Sequence, residues 1–368
     1  MQFLKKNISC IYKFLIRAIF KFIYGKIVFS TKAKYSSSVK IYKINHKKIR
    51  YSKKKKYAVF QINNGRIYTD FVQNVAFIDK NRIINEVSYQ QINGNLKKAN
   101  FNSTLKIGTP YIKKKYNGNI LSLTQGASGH TNYFHWLFDI LPKIKIFSEK
   151  FNLNEIDYFY VSELLDYQKT TLKILGLHNQ KIIDPKHNRH VTGDKIFSVE
   201  HPWYHKGFIH DENFNLPSWI VDWQKKKFLP HKKKFSSRKK IFIDRSESKY
   251  AHSQIINNDE IKNYLKKNGF GIYKVGKLSF QNQIHLFNNA EVIIGAHGAA
   301  FANLSFCKPN TKIIEFKSNS HPSLVDKRIS KINNLKFHMI KTPKIKNKNL
   351  LGDIYIDPKK LDKILSYI

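Results

Sequence analysis

The residues best suited to acid–base chemistry lie in the stretch GHTNYFHWLFDILPKIKI, residues 129–146. His135 and Asp139 are four residues apart, so in a helix they share one face, one turn from each other. Either side chain, so placed, can take a proton from a reacting hydroxyl. The surrounding apolar residues also fit an ordinary core helix in which the two bond only to each other. Spacing alone leaves both interpretations open, and Pro142 marks where the helix is expected to kink or end.

A second stretch, EVIIGAHGAAFANLSFCKPNTKIIEF at residues 291–316, predicts a strand, a glycine-rich turn, a short helix and another strand. Gly298 lies where the backbone turns and where a ligand can approach closely. The first amides of the helix, beginning at Ala299, are then free to meet an anion. These elements together are typical of a nucleotide-phosphate site in an open α/β sheet. His297 lies in the turn, and Glu315 lies towards the end of the second strand.

Arg245 follows directly on residues 240–244, which predict a buried strand. An arginine at the carboxyl end of such a strand points into the ligand crevice of an open sheet. Its forked guanidinium suits a diphosphate. A salt bridge to a neighbouring carboxylate is the alternative interpretation.

The loop HPWYHKGFIHDEN, residues 201–213, supplies further candidates, which either line a cleft or belong to an ordinary surface loop. They are His201, Trp203, His205 and His210. The sequence has neither a cluster of His, Cys and carboxylates with zinc spacing nor an obvious D-x-D pair between strands, so we predict no metal ion. It also lacks G-x-G-x-x-G and G-K-[ST], which disfavours a dehydrogenase and a P-loop. We therefore predict no cofactor.

Composition restricts the class of protein and its partners. A chain of 368 residues, 42% of them hydrophobic, can hold two domains with cores. Lys and Arg outnumber Asp and Glu by 66 to 25, which gives a net charge of +41. That charge favours an anionic membrane surface or an acidic substrate. Because the lysine runs are dispersed and no nucleic-acid-binding signature is present, we predict no specific nucleic-acid partner.

Residues 1–30 predict a basic amphipathic helix suited to a membrane interface. Lys13, Arg17 and Lys21 recur every four residues and so share one helical face. These charges interrupt every apolar run, which disfavours a spanning helix. A helix packed on the protein's own core is the alternative. The two cysteines of the chain indicate a reducing compartment, so we predict a cytoplasmic protein held peripherally on the inner face of the plasma membrane.

The elements that must position these residues fall into four segments. Residues 1–30 form the membrane-contact segment, and residues 31–235 form an N-terminal domain that begins with a β-rich, irregular part. Residues 236–345 alternate strands and helices regularly, which predicts a Rossmann-like parallel sheet. Residues 346–368 form a tail with a short amphipathic helix.

Two stretches resemble the signatures of glycosyltransferase family 61. NYFHWLFDILPK is similar to N-x-x-H-W-x-x-D-x-L-P, and GAHGAAFANLSFCKPNTKIIEF is similar to G-x-H-G-A-x-L-T-N followed by F-x-x-P-G and a strand ending in Glu. IDRSES, which contains Arg245, resembles a third segment. The chain departs at Phe301 and Ala302, where the family usually has Leu-Thr, and at Asn310, where it often has Gly. Asparagine can adopt the left-handed conformation that the glycine would supply.

The resemblance implies an α/β protein of GT-B architecture, with two Rossmann-like domains facing a cleft. Residues 31–235 would form the acceptor side, residues 236–345 would bind the donor, and the tail helix would cross back to the first domain. The implied activity is inverting, metal-independent transfer of a sugar from a nucleotide-diphosphate donor. Bacterial members suggest a cell-surface polysaccharide or a lipid-linked glycan as the acceptor.

Inverting transfer needs a base for the acceptor hydroxyl. The sequence favours Asp139 in this role, with His135 as the alternative. Arg245 and the helix amides would bind the diphosphate, His297 would lie near the phosphates or the transferred sugar, and Glu315 would bind the ribose hydroxyls. The predicted donor-binding residues are Arg245, His297, Gly298, Ala299, Asn303 and Glu315. The rival hypothesis is a non-catalytic, membrane-associated protein that binds an anionic polymer or nucleic acid.

Overall fold

The computed structural model describes residues 2–45, 49, 56–71, 73–92, 95–124, 131–162, 164–204, 207–208, 210–247, 253–343, 345 and 352–366. The chain divides into two compact units. The first comprises Met1–Leu164 and Asn179–Glu212, and the second comprises Leu165–His178 and Asn213–Ile368. The division at residues 212 and 213 precedes the sequence-predicted boundary at 235 and 236.

The first unit is rich in strands and contains four of the α-helical segments. The helices are α1 (Gln2–Tyr24), α2 (Thr104–Ile107), α3 (Tyr133–His135) and α4 (Leu141–Ser148). The strands are β1 (Phe29–Thr31), β2 (Val39–Lys43), β3 (Ala58–Asn63), β4 (Arg66–Tyr68), β5 (Asn74–Asp79), β6 (Arg82–Ile84), β7 (Tyr89–Ile92), β8 (Asn95–Lys98), β9 (Lys113–Lys115), β10 (Asn119–Ser122), β11 (Tyr158–Tyr160), β12 (Lys181–Ile183), β13 (His190–Thr192), β14 (Lys195–Val199) and β15 (Gly207–Phe208).

These strands form two sheets. The larger sheet has nine strands and is mostly antiparallel, with the order β15-β8-β7-β5-β4-β13-β9 and with β6 and β1 joined at β5. The other has six strands in the order β12-β11-β10-β14-β3-β2. In this sheet the pairs β12–β11, β11–β10 and β10–β14 are parallel, whereas the pairs β14–β3 and β3–β2 are antiparallel. The parallel sheet predicted for this half is therefore present, but as one part of a mixed sheet beside a large antiparallel one.

A continuous helical rod carries the first candidate pair. It runs from α3 through a π-helical turn at Trp136–Ile140 into α4. The sequence predicted a kink or an end at Pro142, and the helix continues through this residue, which lies at the start of α4 directly after the π-helical turn. A π-turn just ahead of a proline relieves the clash of its ring with the preceding turn and its missing amide. Trp136 and Leu137 are fully buried, so this rod is also a core element of the first unit.

The N-terminal helix α1 carries a broad exposed apolar surface. Among the described side chains, its exposed large hydrophobic residues are Ile8, Ile11, Tyr12, Phe14, Leu15, Ile19, Phe22 and Ile23. Its C-terminal end is fixed to the first unit, because the Tyr24 hydroxyl accepts a 3.0 Å hydrogen bond from Lys113 N and its ring packs edge-on against His190. No helix in the described ranges combines the length and the apolar character needed to cross a membrane.

The second unit alternates helices with parallel strands. Its elements are α5 (Asp166–Ile174), α6 (Ser218–Phe228), β16 (Lys240–Ile243), α7 (Asn258–Lys267), β17 (Gly271–Tyr273), α8 (Phe280–Asn289), β18 (Val292–Ala296), a 3₁₀ helix (Ala299–Phe306), β19 (Lys312–Ser318), α9 (Val325–Ile332), β20 (Lys336–Thr342) and α10 (Pro358–Leu365). The Ser279 side chain caps α8 by accepting a hydrogen bond from the Asn282 amide.

Its five strands form one sheet in the order β17-β16-β18-β19-β20, and every pair is parallel. The parallel sheet predicted for this half is thus confirmed. The first strand in sequence, β16, lies between the second and the third, so the order reverses between β16 and β18. Ligands of open α/β sheets bind at this kind of switch point, outside the carboxyl ends of the strands.

The tail helix α10 packs within the second unit. Leu361 is buried in the same apolar cluster as Phe242 of β16, Ile261 of α7 and Ile294 of β18. The resemblance had implied that this helix crosses back to the first domain. The structure instead assigns it to the core of the sheet unit, where its apolar face is covered.

Candidate functional site

His135 and Asp139 form a hydrogen-bonded pair on the helical rod of the first unit. His135 Nδ1 lies 2.7 Å from Asp139 Oδ2. The pair is asymmetric, because the His135 side chain is 25% exposed whereas that of Asp139 is fully buried. Asn132 caps the start of the rod by accepting a hydrogen bond from the His135 amide. The local fold therefore fixes both the position of the imidazole and its orientation.

The other carboxylate oxygen of Asp139 receives donors from the loop after β14. Trp203 Nε1 donates to Oδ1 over 2.8 Å, and His201 Nε2 lies 3.7 Å from the same atom. His201 Nδ1 accepts hydrogen bonds from the amides of Trp203 and Tyr204, so its proton is on Nε2, towards Asp139. These contacts surround the carboxylate with donors from both sides.

The electrostatics keep Asp139 ionised. Burial alone would raise the pKa of Asp139, but His135 and His201 outweigh it, and the pKa lies well below its ordinary range. A buried, fully hydrogen-bonded anion is a poor proton acceptor for an outside group. It is well suited to hold the His135 proton on Nδ1, which leaves Nε2 as the basic nitrogen.

The remaining candidates of the loop fall into three cases. His201 is buried, and its pKa is lowered by burial against the opposing effect of Asp139. Its position behind Asp139 makes it a supporting residue. His210 packs edge-on against Phe208 at 5.0 Å between ring centroids. His205 lies outside the described residues.

Lys143 is a buried cation one turn beyond Asp139, which the sequence analysis did not single out. Its Nζ donates to the carbonyl oxygens of Leu123 and Thr124 over 3.4 and 3.1 Å. Burial lowers the pKa of Lys143 to about 7, although the Asp139 carboxylate opposes this shift. Its position four residues after Asp139, within an apolar run, could have indicated from the sequence that Lys143 lies on the same helical face as Asp139.

The second candidate site lies where the strand order of the second unit reverses. His297 follows β18, and its Nδ1 lies 2.5 Å from Glu315 Oε1 on β19 and 2.9 Å from Asp326 Oδ2 on α9. Both carboxylates are almost fully buried, whereas the His297 side chain keeps 12% exposure. The His321 ring packs against His297 with 4.1 Å between centroids. Glu315 therefore has His297 as a direct partner, and its assignment to the ribose hydroxyls stays a prediction.

Arg245 follows β16 and contacts the turn that holds His297. Its Nη1 donates to the His297 carbonyl oxygen and, over 3.5 Å, to that of Ser253. Burial lowers the pKa of Arg245 to about 10, so the guanidinium stays charged at neutral pH. The salt bridge considered as an alternative for Arg245 is not among the ion pairs of the described residues, although Glu247 and Asp326 attract its charge.

Gly298 makes room for that guanidinium. A Cβ at Gly298 would lie 2.7 Å from Arg245 Cζ, well inside contact distance. The φ of Gly298 is 170°, an extended value open to any residue. A side chain at this position would therefore force the Arg245 guanidinium to shift, whereas the backbone conformation itself does not call for a glycine. Asn310, by contrast, has the left-handed φ of 66° predicted for it.

The helix after the turn is a 3₁₀ helix that begins at Ala299 and whose N-cap is Gly298. Its first internal hydrogen bond runs from Phe301 N to Gly298 O over 3.0 Å. The amides of Ala299 and Ala300 precede that bond and are the groups that a helix start offers to an anion. Asn303 is buried and donates to Gln283 Oε1 and Ala300 O, so it orders the helix, and its predicted part in donor binding stays a prediction.

His297, Glu315 and Asp326 also have the donor types of a metal site. One ligand atom from each lies within 4.8 Å of the others. The two distances at His297 Nδ1, 2.5 and 2.9 Å, are hydrogen-bond lengths. Each is shorter than the separation of two ligand atoms on a tetrahedral zinc ion, whose metal–ligand distances are about 2.0–2.2 Å. This arrangement fits a proton on Nδ1, and the absence of a metal in the reaction stays a prediction.

Sequence reasoning missed Asp326 and the contact of Trp203 with Asp139. An acidic residue in the first turn of a helix is ordinary, because it complements the helix dipole, so nothing distinguished Asp326. Trp203 was named as a cleft residue, but its partner lies 64 positions earlier in the chain. Only the folded chain brings these residues together.

Residues 133–314 match the family model described as Glycosyltransferase 61. The match covers just under half of the chain and begins at the helical rod that carries His135 and Asp139. It extends to β19, one residue before Glu315. It supports assignment of the chain to glycosyltransferase family 61, and hence to the glycosyltransferases. None of the curated proteins compared with the chain matches it.

Proposed function

We propose that this protein is an inverting, metal-independent glycosyltransferase. It would move a sugar from a nucleotide-diphosphate donor to a cell-surface polysaccharide or a lipid-linked glycan. The observation that carries the proposal is the His135–Asp139 pair within the segment that matches glycosyltransferase 61. The GT-B architecture expected from the resemblance, the bacterial surface-polysaccharide type and the choice between a hexosyl and a pentosyl donor stay predictions.

In this proposal His135 is the base, and Asp139 is the residue that positions it. The acceptor hydroxyl loses its proton to His135 Nε2 as its oxygen attacks the anomeric carbon. The bond from that carbon to the diphosphate breaks, and the diphosphate leaves with the electron pair. A single displacement inverts the anomeric configuration. Asp139 stays anionic and stabilises the imidazolium that forms.

Donor binding is assigned to the switch point of the second unit. Arg245 and the amides of Ala299 and Ala300 supply positive charge and donors for the diphosphate. His297 adds a ring nitrogen at the same turn. These groups stabilise negative charge as it develops on the leaving diphosphate, the role that a divalent ion serves in other enzymes.

We further propose that α1 holds the protein peripherally on an anionic membrane, on its cytoplasmic face. The exposed apolar residues of α1 and the basic residues Lys13, Arg17 and Lys21 support this. The experiment is co-sedimentation of the full chain with vesicles of phosphatidylglycerol and phosphatidylcholine. Replacing the three basic residues by glutamate should abolish binding, whereas the same replacement of the consecutive Lys225, Lys226 and Lys227 of α6 should not. Equal sedimentation of both variants would contradict the proposal.

The enzymatic proposal is tested with a panel of nucleotide sugars. A specific donor should raise the melting temperature of the full chain by mass action. Incubation with that donor, without acceptor, should then release nucleoside diphosphate slowly. A non-catalytic binding protein would release none, and a panel with no stabilising donor and no hydrolysis would reject the transferase.

A further inference from the structure

The Nδ1 atom of His297 is shared by two buried carboxylates from different elements. Glu315 approaches from β19 at 2.5 Å and Asp326 from α9 at 2.9 Å. Glu315 Oε2 is buried and makes no hydrogen bond in the described part of the chain. Two buried acidic groups therefore converge on one ring nitrogen.

Other ionisable groups surround this cluster from the adjoining elements. They are Lys317 on β19, His321 in the loop after β19, and Arg245 after β16. Lys317 Nζ is buried, lies 3.5 Å from Glu315 Oε1 and also donates to the Ser323 carbonyl oxygen. His321 Nδ1 accepts a hydrogen bond from Ser323 N, which leaves that atom without a proton. Lys317 can balance Glu315, whereas the ion-pair partner of Asp326 among the described residues is His297, so a positive charge on that ring would balance Asp326.

The imidazolium form of His297 supplies that charge. Burial alone would lower the pKa of His297, but Asp326 and Glu315 outweigh it, and the pKa lies above its ordinary value. The Nδ1 proton is directed at the carboxylates. The other ring nitrogen, Nε2, takes part in none of the hydrogen bonds recorded for the described residues, and the ring is still partly exposed.

We propose that Asp326 and Glu315 are positioning residues that hold His297 as a cation, so that its Nε2–H binds a phosphate oxygen of a nucleoside diphosphate. This inference rests on the proposed donor site. It adds a fixed positive charge to Arg245 at the switch point. It also gives Glu315 a role other than binding the ribose, and it assigns a role to Asp326.

The charge state can be measured without reference to activity. In full-length protein labelled with ¹⁵N-histidine, the His297 resonances are assigned by their loss in His297→Gln. At pH 7.5 both ring nitrogens of His297 should show imidazolium shifts, and the ring should titrate above the ordinary value of about 6.5. The Asp326→Asn and Glu315→Gln variants should each lower that titration, and the double variant should lower it further. A neutral His297 at pH 7.5 in the wild type, with the proton on Glu315 instead, would overturn the proposal.

The functional use of the charge is measured by the affinity for diphosphates at several pH values. The probes are inorganic pyrophosphate and whichever of UDP, GDP, ADP and CDP stabilises the protein most. Affinity should fall as pH rises through the pKa of His297, because the cation is lost. In Asp326→Asn that fall should occur at lower pH, with a loss of about tenfold or more at pH 7.5, as for a charge-assisted hydrogen bond. Glu291→Gln is the matched control, since this exposed carboxylate of the same unit has the same charge and pairs with Lys239.

The outcomes separate the inference from the function on which it rests. An imidazolium His297 without diphosphate binding would support the positioning role of Asp326 and Glu315 but reject the donor site. Diphosphate binding with the same pH profile in wild type, Asp326→Asn and Glu291→Gln would reject the positioning role of the two carboxylates but not the donor site. Pyrophosphate binding that needs Mn²⁺ and disappears in Asp326→Asn would show a metal site and would also overturn the inference. Circular dichroism of each variant checks that the fold persists.

Discussion

The two units each place a histidine Nδ1 on a buried carboxylate, but the surroundings of the two pairs differ. In the first unit, one carboxylate serves His135, and its other oxygen is bound by the neutral donors of Trp203 and His201. In the second unit, two carboxylates converge on His297. The same local contact thus occurs once with a single carboxyl group and once with two.

This difference indicates how the number of carboxyl groups beside a histidine can determine its role. A single, well-satisfied carboxylate orients the ring and stabilises its cation once a proton arrives, which suits a base. Two poorly neutralised carboxylates favour the cation from the outset, which suits anion binding. Each variant below changes one of these two arrangements while leaving the other intact.

The largest effect is expected for the first pair. His135→Gln removes the base and should reduce the transfer rate by about 10²–10⁴-fold, with donor affinity unchanged. Asp139→Asn should cost a similar factor for a different reason. Its oxygen will face the Trp203 and His201 donors, so its NH₂ faces His135 and forces the proton onto Nε2.

Single-turnover rates and donor affinities check this prediction. His187→Gln is the control, because His187 is an exposed histidine of the same unit. If Asp139→Asn lost activity but His135→Gln kept it, Asp139 itself would be the base, as the sequence first favoured. Wild-type rates in both variants would leave the rod as a core helix only.

A smaller effect is expected for Arg245→Ala in the second unit. Loss of a charge-assisted contact to the diphosphate should weaken donor binding by on the order of 2 kcal/mol, or about 30-fold. The measurement is nucleoside-diphosphate affinity by calorimetry. The exposed Arg238, seven residues earlier, gives the control variant Arg238→Ala. Equal affinities in both variants would remove Arg245 from the site.

Gly298→Ala should have a more moderate effect of the same kind. The added Cβ cannot share space with the Arg245 guanidinium, which must move, so we expect a loss of several-fold in donor affinity with little loss of stability. A double-mutant cycle gives the sharper test. In an Arg245→Ala background the same glycine substitution should cost almost nothing. Full additivity would show that Gly298 acts independently of Arg245.

The smallest effect is expected from chelation. If Arg245, the helix amides and His297 supply the positive charge, activity should survive EDTA unchanged. Initial rates before and after dialysis against EDTA measure this. A loss that Mn²⁺ restores would contradict it and would make His297, Glu315 and Asp326 a metal site instead.

Short-range sequence patterns determined much of the framework of this protein. Four-residue spacing placed His135 and Asp139 on one helical face, and the alternation after residue 236 predicted the parallel sheet. The left-handed conformation of Asn310 was also predicted from the sequence. Such features depend on residues within a few positions of each other, where helical period and backbone sterics decide the outcome.

Only the tertiary structure decided what each group at the two sites does. The sequence favoured Asp139 as a base, but only the structure shows that Trp203 and His201 lie against its carboxylate. The sequence favoured Glu315 as a ribose ligand, but only the structure shows that it and Asp326 both contact His297. The sequence predicted Gly298 as a turn residue, but only the structure shows that the Arg245 side chain fills the space next to it. The sequence by itself determined which residues lie on which helix face or strand end. The fold decided their burial and charge state, because these depend on neighbours that are distant in the chain and close in space.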